Sequence, residues 1–173
     1  MRWTAVTDAA GLNQALFSVT HGLYILTAQR GEKKNGQCLD ALMQVTNAPP
    51  RIVIGVGTRS LTHEMIAETG RFAFSVLDRD HHKCGDLIRH FGFQSGHKVD
   101  KFEAFDHELT PGGLPILRSG VAVYECTVDP ERTVSLGTHS LFVASVDWAG
   151  TSQQGTPLTY NEYRETLRKE RST

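Results

Sequence analysis

The chain has 173 residues, with 18 Lys and Arg against 19 Asp and Glu for a net charge of −1. That balance argues against a nucleic-acid scaffold or a polybasic membrane binder, and 39% hydrophobic with 21% charged residues suits one packed domain and argues against long-range disorder. Apolar runs fall short of a bilayer span, Met1 to Val6 lacks the apolar centre of a signal peptide, and Cys38, Cys84 and Cys126 are an odd, widely spaced set, so a cytoplasmic protein with free thiols is expected.

Leu12, Ala15, Leu16 and Val19 recur at helical spacing behind Thr7 or Asp8, so a short helix opens the chain. Leu23 to Ala28 is β-branched and aromatic and reads as a strand, while polar Gln29 to Asn35, with Gly31 inside it, reads as a turn. A second extended stretch is expected from Gln37 to Thr46, ending at Pro49-Pro50, followed by a buried strand from Ile52 to Val56. Leu61 to Thr69 reads as a helix closed by Gly70, and Phe72 to Leu77 as the next strand. Asp80 is placed to cap a helix whose inner face is Cys84, Leu87, Ile88 and Phe91, with Gly92 as its stop. Gly92 to Gly120, rich in Gly, Pro and charge, reads as a long loop. Val121 to Val128 and Thr138 to Trp148 alternate with period 2, as half-buried antiparallel strands do. Thr159 and Glu162 fit a capping box with Leu158 and Tyr163 as its staple. The expectation is one domain over residues 1–173, with a core at about 12–150 and a C-terminal arm at 151–173. Strands outnumber short helices and mostly follow one another directly, which favours an antiparallel barrel over a doubly wound parallel sheet.

Several segments have chemical potential. Gly55-Val56-Gly57-Thr58-Arg59-Ser60 lies between a strand and a helix, with Asp78 ending the next strand, and so imitates a dinucleotide-binding βαβ unit. Ser60 in place of a third glycine, the short helix and the lack of a second such unit count against that reading. Arg59, Ser60 and Thr62 gather at a helix N-terminus and suit a phosphate, or else supply a plain N-cap beside a solvated arginine. His81, His82, Cys84, His90 and His97 match no closed zinc spacing, and metal binding is not expected. His139 shares a strand face with Leu141 and Val143, where a single histidine is either a hydrogen-bonded edge residue or a functional group. The stretch from Phe91 to Phe102 mixes aromatics and glycines with Lys98 and Lys101, which suits a planar anionic ligand or an ordinary pinned loop. No nucleophile elbow, zinc-protease motif or Walker loop is present.

Taken together, His21 to Thr27, Asn35-Gly36-Gln37, Gln44 to Pro50, Ser60-Leu61-Thr62, Phe72 to Leu77, His90 to Phe93, Asp100-Lys101-Phe102 and Gly137-Thr138-His139 resemble the flavin reductase-like FMN-binding family. Within it the likeness is to the flavin reductase domains of high-molecular-weight rubredoxins and flavodiiron proteins, which the tail Leu158 to Tyr163 also matches. The resemblance implies a split β-barrel of antiparallel, Greek-key type, usually a homodimer with flavin near the subunit interface. It implies FMN as cofactor, FAD as an alternative substrate, NAD(P)H as reductant, and rubredoxin, a flavodiiron protein or free flavin as acceptor. It places Asn35, Gln37, Cys38, Leu39, Asp40, Ala41 and Gln44 along the flavin ring. Arg59, Ser60, Thr62, Phe91, Phe93, Ser95, Lys98 and Lys101 then serve the ribityl and phosphate end, and Tyr160 joins the cofactor-binding set. His139 is the expected catalytic residue, near the flavin or the nicotinamide.

Two positions depart from that pattern. Asp40 stands where subgroup members carry Asn, and a carboxylate beside the ring disfavours an anionic reduced flavin unless it is protonated or turned away. His97 stands where they carry Arg, which removes a permanent cation that Lys98 is placed to replace. These departures keep open a non-catalytic flavin- or heme-binding module on the same barrel, beside the dinucleotide-binding βαβ reading.

Overall fold

Period-2 alternation builds one antiparallel sheet of eight strands in the computed structural model, which describes residues 3–167. In chain order the strands are β1 (Tyr24–Arg30), β2 (Lys33–Leu39), β3 (Leu42–Asn47), β4 (Pro50–Gly57), β5 (Arg71–Leu77), β6 (His107–Leu109), β7 (Pro115–Leu117), β8 (Gly120–Val128), β9 (Val134–Ser135) and β10 (His139–Thr151). The main sheet runs β2-β1-β5-β8-β10-β4-β3, with β9 beside β10, and β6 and β7 form a separate hairpin. The first half of β10 pairs with β4 and the second half with β8, and a bulge between Val146 and Trp148 bends the strand between them. A strand shared in this way rolls the sheet toward a barrel. Consecutive strands β2 and β3 end up as its two edges, and no ladder joins them among the described residues.

Among the described residues there are four α-helices: α1 (Ala9–Leu16), which buries no side chain, α2 (Leu61–Thr69), α3 (Cys84–Phe93) and α4 (Tyr160–Glu162). Helix α2 sends Leu61, Met65 and Ile66 into the barrel core with Leu26, Ile54, Phe72 and Phe142. Ser60 caps its start by accepting from the His63 amide at 3.1 Å, and Gly70 ends it at φ 67°. That left-handed turn favours glycine. Helix α3 buries Cys84, Leu87, Ile88 and Phe91 at i, i+3, i+4 and i+7 on the outside of β1 and β2, over a second core with Ile25 and Phe102. At its C-terminal end α3 lies almost on the backbone of β2, because a Cβ on Gly36 would stand 3.1 Å from the Phe91 ring and one on Gly92 would stand 3.3 Å from Cys38.

The helix at Leu61–Thr69, its glycine cap and the capping box of Thr159 and Glu162 stand where the sequence places them. Other expectations are corrected. The polar stretch from Gln29 to Asn35 is mostly strand, because β1 and β2 form a hairpin whose turn is only Gly31 and Glu32. The extended region expected from Gln37 to Thr46 is two strands broken at Asp40 and Ala41. Asp80 does not cap α3; Lys83 precedes that helix, and Gly92 lies inside it. The long loop from Gly92 to Gly120 contains the hairpin of β6 and β7. The βαβ reading fails on topology: β8 and β10 separate β4 from β5, and every ladder in the sheet is antiparallel. Met1, Arg2 and residues 168–173, which include the end of the expected C-terminal arm, lie outside the described residues.

Candidate functional site

The gap beside the β2 edge opens into a groove of about 880 Å³. One wall is β2 and the end of α3, with Asn35, Gln37, Cys38, Phe91, Gly92 and Lys101. The opposite wall is the β4–α2 turn, with Gly57, Thr58, Arg59, Ser60, Leu61 and Thr62. Gln94, Ser95 and Gly96 line one end, and Gly137, Thr138 and His139 line another part of the rim. This volume lies within the range of small-molecule and cofactor sites.

The α2 wall is a set of donors. Ser60 satisfies the third amide of the helix, and among the described residues nothing accepts from the amides of Leu61 and Thr62. Arg59 is exposed and has no carboxylate partner among the described residues. The Thr62 hydroxyl accepts from Asn35 Nδ2 at 2.9 Å, which leaves its own proton for another acceptor. Free amides at a helix start, a hydroxyl and an unpaired guanidinium form a ready seat for a phosphate.

The β2 wall is built differently. Among the described residues β2 pairs only with β1, so no strand covers its other edge. Gly36 turns its carbonyl to that edge, where Lys101 Nζ donates to it at 2.9 Å. Alternation along an antiparallel ladder puts the Cys38 amide on the same edge. The Cys38 thiol is pushed up to about 12 by burial first and by the charge of Asp40 second, so it stays neutral and is no nucleophile. Asn35 is 3% exposed and joins the walls through Thr62; a Cβ on Gly96 would run into its carboxamide.

The sequence-selected residues separate by place. Asn35, Gln37, Cys38, Arg59, Ser60, Thr62, Phe91, Ser95, Lys101 and His139 line the groove. Leu39, Asp40, Phe93 and Tyr160 line a neighbouring cleft of about 170 Å³, which shares Cys38 and Gly92 with the groove. Ala41, Gln44 and Lys98 line neither. The Ala41 carbonyl accepts from Gly55, and Gln44 bonds within its own strand end to Thr46 and Asn47. His97 pairs with Glu64 at 3.3 Å, outside the groove lining. His139 is exposed, with Nδ1 3.0 Å from the Thr138 hydroxyl. Gln94, Gly92 and Gly96 fall in the Phe91–Phe102 stretch that the sequence marks for a ligand, and Gly57 in its glycine motif, but none of the four stands there as an individual site residue. The glycines' place in the lining comes from packing that only the fold shows: a Cβ on Gly92 would stand 3.3 Å from Cys38, one on Gly96 would run into the Asn35 carboxamide, and one on Gly57 would stand 3.7 Å from the His139 ring.

A family model described as "Flavin reductase like domain" matches residues 16–167. The high molecular weight rubredoxin of Moorella thermoacetica is 40% identical over 156 residues, which are 90% of this chain and 66% of that protein. The chain therefore spans just under two thirds of that relative's length. The ferric-chelate reductase (NAD(P)H) of Archaeoglobus fulgidus is 31% identical over 151 residues, 87% of each chain. Among solved structures, the NADH:FAD oxidoreductase of Streptomyces globisporus aligns with a TM-score of 0.80 at 23% identity, covering 90% of this chain and 92% of that one.

Proposed function

The chain belongs to the flavin reductase like family, and from that membership we propose that its groove holds FMN and that the protein is an NAD(P)H-dependent oxidoreductase. When bound, FMN supplies an acceptor for the hydride of the dihydronicotinamide. The observation that carries the reading is the α2 wall, where the Leu61 and Thr62 amides, the Thr62 hydroxyl and Arg59 are all without an internal anion. In this reading those groups hold the phosphate. Leu61, Cys38 and Phe91 cover the apolar part of the ligand, and the Cys38 amide donates from the open β2 edge. Asp40 stands in the neighbouring cleft, outside the groove lining. His139, on the rim, orients the nicotinamide or bonds the ring. FAD is an alternative substrate, accommodated by the groove volume of about 880 Å³.

The same reading includes a homodimer. Met43, Val53, Val143, Leu141 and Val134 fall on one outward sheet face by their register. Met43 is 61% and Val134 49% exposed, and Leu136 beside them is 57% exposed. Such a face suits an interface next to the groove rim. The acceptor in this reading is a rubredoxin, a flavodiiron protein or free flavin; kinship with a rubredoxin-bearing relative supports the first. No helix among the described residues is long and apolar enough to cross a membrane, and the reading assigns the protein to the cytoplasm.

The test is direct. The purified chain mixed with FMN and NADH or NADPH under anaerobic conditions bleaches the flavin absorbance catalytically. An unchanged spectrum with both nucleotides and both flavins contradicts the proposal.

A further inference from the structure

Lys101 follows α3, and its side chain runs back beneath the β2 wall. Nζ donates to the carbonyls of Gly36 and Phe91, each at 2.9 Å. The residue is 3% exposed and lines the groove. An ammonium has three N–H groups. The third has no acceptor among the described residues, and no carboxylate there lies within ion-pair distance of Nζ. The charged and titratable groups around it are otherwise engaged or neutral. The Cys38 thiol, whose charge would favour the ammonium, is held neutral by burial, and Asp40 faces the neighbouring cleft. Asp100 accepts from the Phe102 amide, the His90 ring bonds the backbone carbonyl of Lys101, and His97 pairs with Glu64.

Buried charges are almost always paired. This one is not, and burial pulls its pKa down to about 8. An anion on the groove's occupant would supply the missing partner. A flavin offers two. The phosphate is served across the groove by Arg59 and the start of α2. The other arises during the reaction. Hydride transfer breaks a C–H bond of the dihydronicotinamide, which is oxidised, and forms an N–H bond on the flavin, which gains two electrons and one proton. The flavin therefore carries one negative charge that it lacked before.

We propose that Lys101 is the counter-charge for the reduced flavin ring, so that the groove holds reduced flavin more tightly than oxidised flavin. The proposal rests on the flavin reading given above. The two backbone carbonyls fix Nζ at the wall lined by Cys38, Phe91 and Gly92, and the remaining N–H serves the ring. Asp40, which would oppose this charge, is outside that lining.

Anaerobic binding of riboflavin, oxidised and dithionite-reduced, to the full chain tests this, because riboflavin has no phosphate for Arg59 to read. Wild type binds the reduced form about tenfold more tightly at pH 7, equivalent to a rise of roughly 30 mV in the two-electron potential. Lys101→Met brings the ratio to about one and leaves oxidised riboflavin within about threefold of wild type. The preference is present while the ammonium is charged, declines in wild type as pH rises above about 8, and stays flat in Lys101→Arg. If Lys101→Met does not fold, the wild-type and Lys101→Arg pH profiles decide. Equal loss of both redox forms assigns Lys101 to wall structure only and overturns the proposal. Loss confined to FMN assigns it to the phosphate and also overturns it. Flavin binding by wild type with no redox preference overturns this inference alone, whereas no flavin binding at all overturns the functional reading beneath it.

Discussion

Helix α3 has a hollow at each end, and the two differ in how their charges are met. At its C-terminal end lies the groove, where Arg59 and Lys101 have no carboxylate partner among the described residues. At its N-terminal end lies a cavity of about 630 Å³ lined by Asp78, Asp80, His81, His82, Lys83 and Arg118, among others. There Asp78 accepts from the Asp80 and Thr156 amides, Asp80 is paired with Arg79, and Arg118 is paired with Glu108 at 2.7 Å. The histidines stack on each other at 4.6 Å. Size alone does not separate the two hollows. What separates them is unmet charge: one end has cations and free amides waiting for an anion, and the other has largely answered its own charges.

The sharpest way to break this contrast is to remove the waiting donors. Arg59→Ala combined with Thr62→Val lowers FMN affinity by about 100-fold, roughly 2.7 kcal/mol, and changes riboflavin affinity by less than about threefold. Arg118→Ala at the other end changes FMN affinity by less than about twofold. Quenching of flavin fluorescence measures all three. A comparable loss at both ends would erase the distinction.

A control away from both hollows sharpens it. Glu125 is 5% exposed, pairs with Arg71 and accepts from the Gly112 amide at 2.9 Å. Burial works to raise its pKa, but hydrogen bonds from Thr110, Gly112 and Arg71 outweigh that and hold the carboxyl below the usual glutamate value of 4.5. Its folded pKa is depressed, so its contribution to stability is present above pH 4.5 and is lost as pH falls through the lower folded value. Glu125→Ala destabilises the fold by about 2 kcal/mol at neutral pH in urea unfolding and leaves FMN affinity unchanged. The deficit relative to wild type shrinks as the pH falls below 4.5 toward the lower folded value.

Smaller effects follow for the link between the walls. Asn35→Ala removes the bond to Thr62 and costs about 1 kcal/mol in stability, with a loss of about tenfold in FMN affinity. Ser60→Ala removes the cap on the His63 amide and costs about 1 kcal/mol in stability, with a smaller effect on affinity. Least of all, His97→Arg alters FMN affinity by less than about threefold, because that side chain pairs with Glu64 outside the groove lining.

The α2 side of this contrast was legible in the sequence. Ser60, Gly70 and the apolar spacing between them define the helix, and a hydroxyl and an arginine at its start suit either a phosphate or a plain N-cap beside a solvated arginine. The β2 side was not. Nothing in the spacing of Lys101 says that its ammonium folds back onto Gly36 and Phe91, since both partners are backbone carbonyls set by how α3 crosses β2. Asp40 reads as adjacent to the ring, yet it stands past the end of β2 and lines the other cleft. The hairpin at His107–Leu109 and Pro115–Leu117 is not legible in the sequence because its strands have three residues each, too few to show alternation among the surrounding Gly and Pro. Local chemistry wrote one wall of the groove into the sequence, and long-range packing made the other.

The structure of the full chain crystallised with FMN is the most direct test of the central claim, that unmet donors at the start of α2 define the site. The account predicts the flavin in the groove, with its phosphate oxygens within hydrogen-bond distance of the Leu61 and Thr62 amides and of Arg59. FMN seated at the N-terminal end of α3, or bound in the groove with its phosphate turned away from α2, would contradict it.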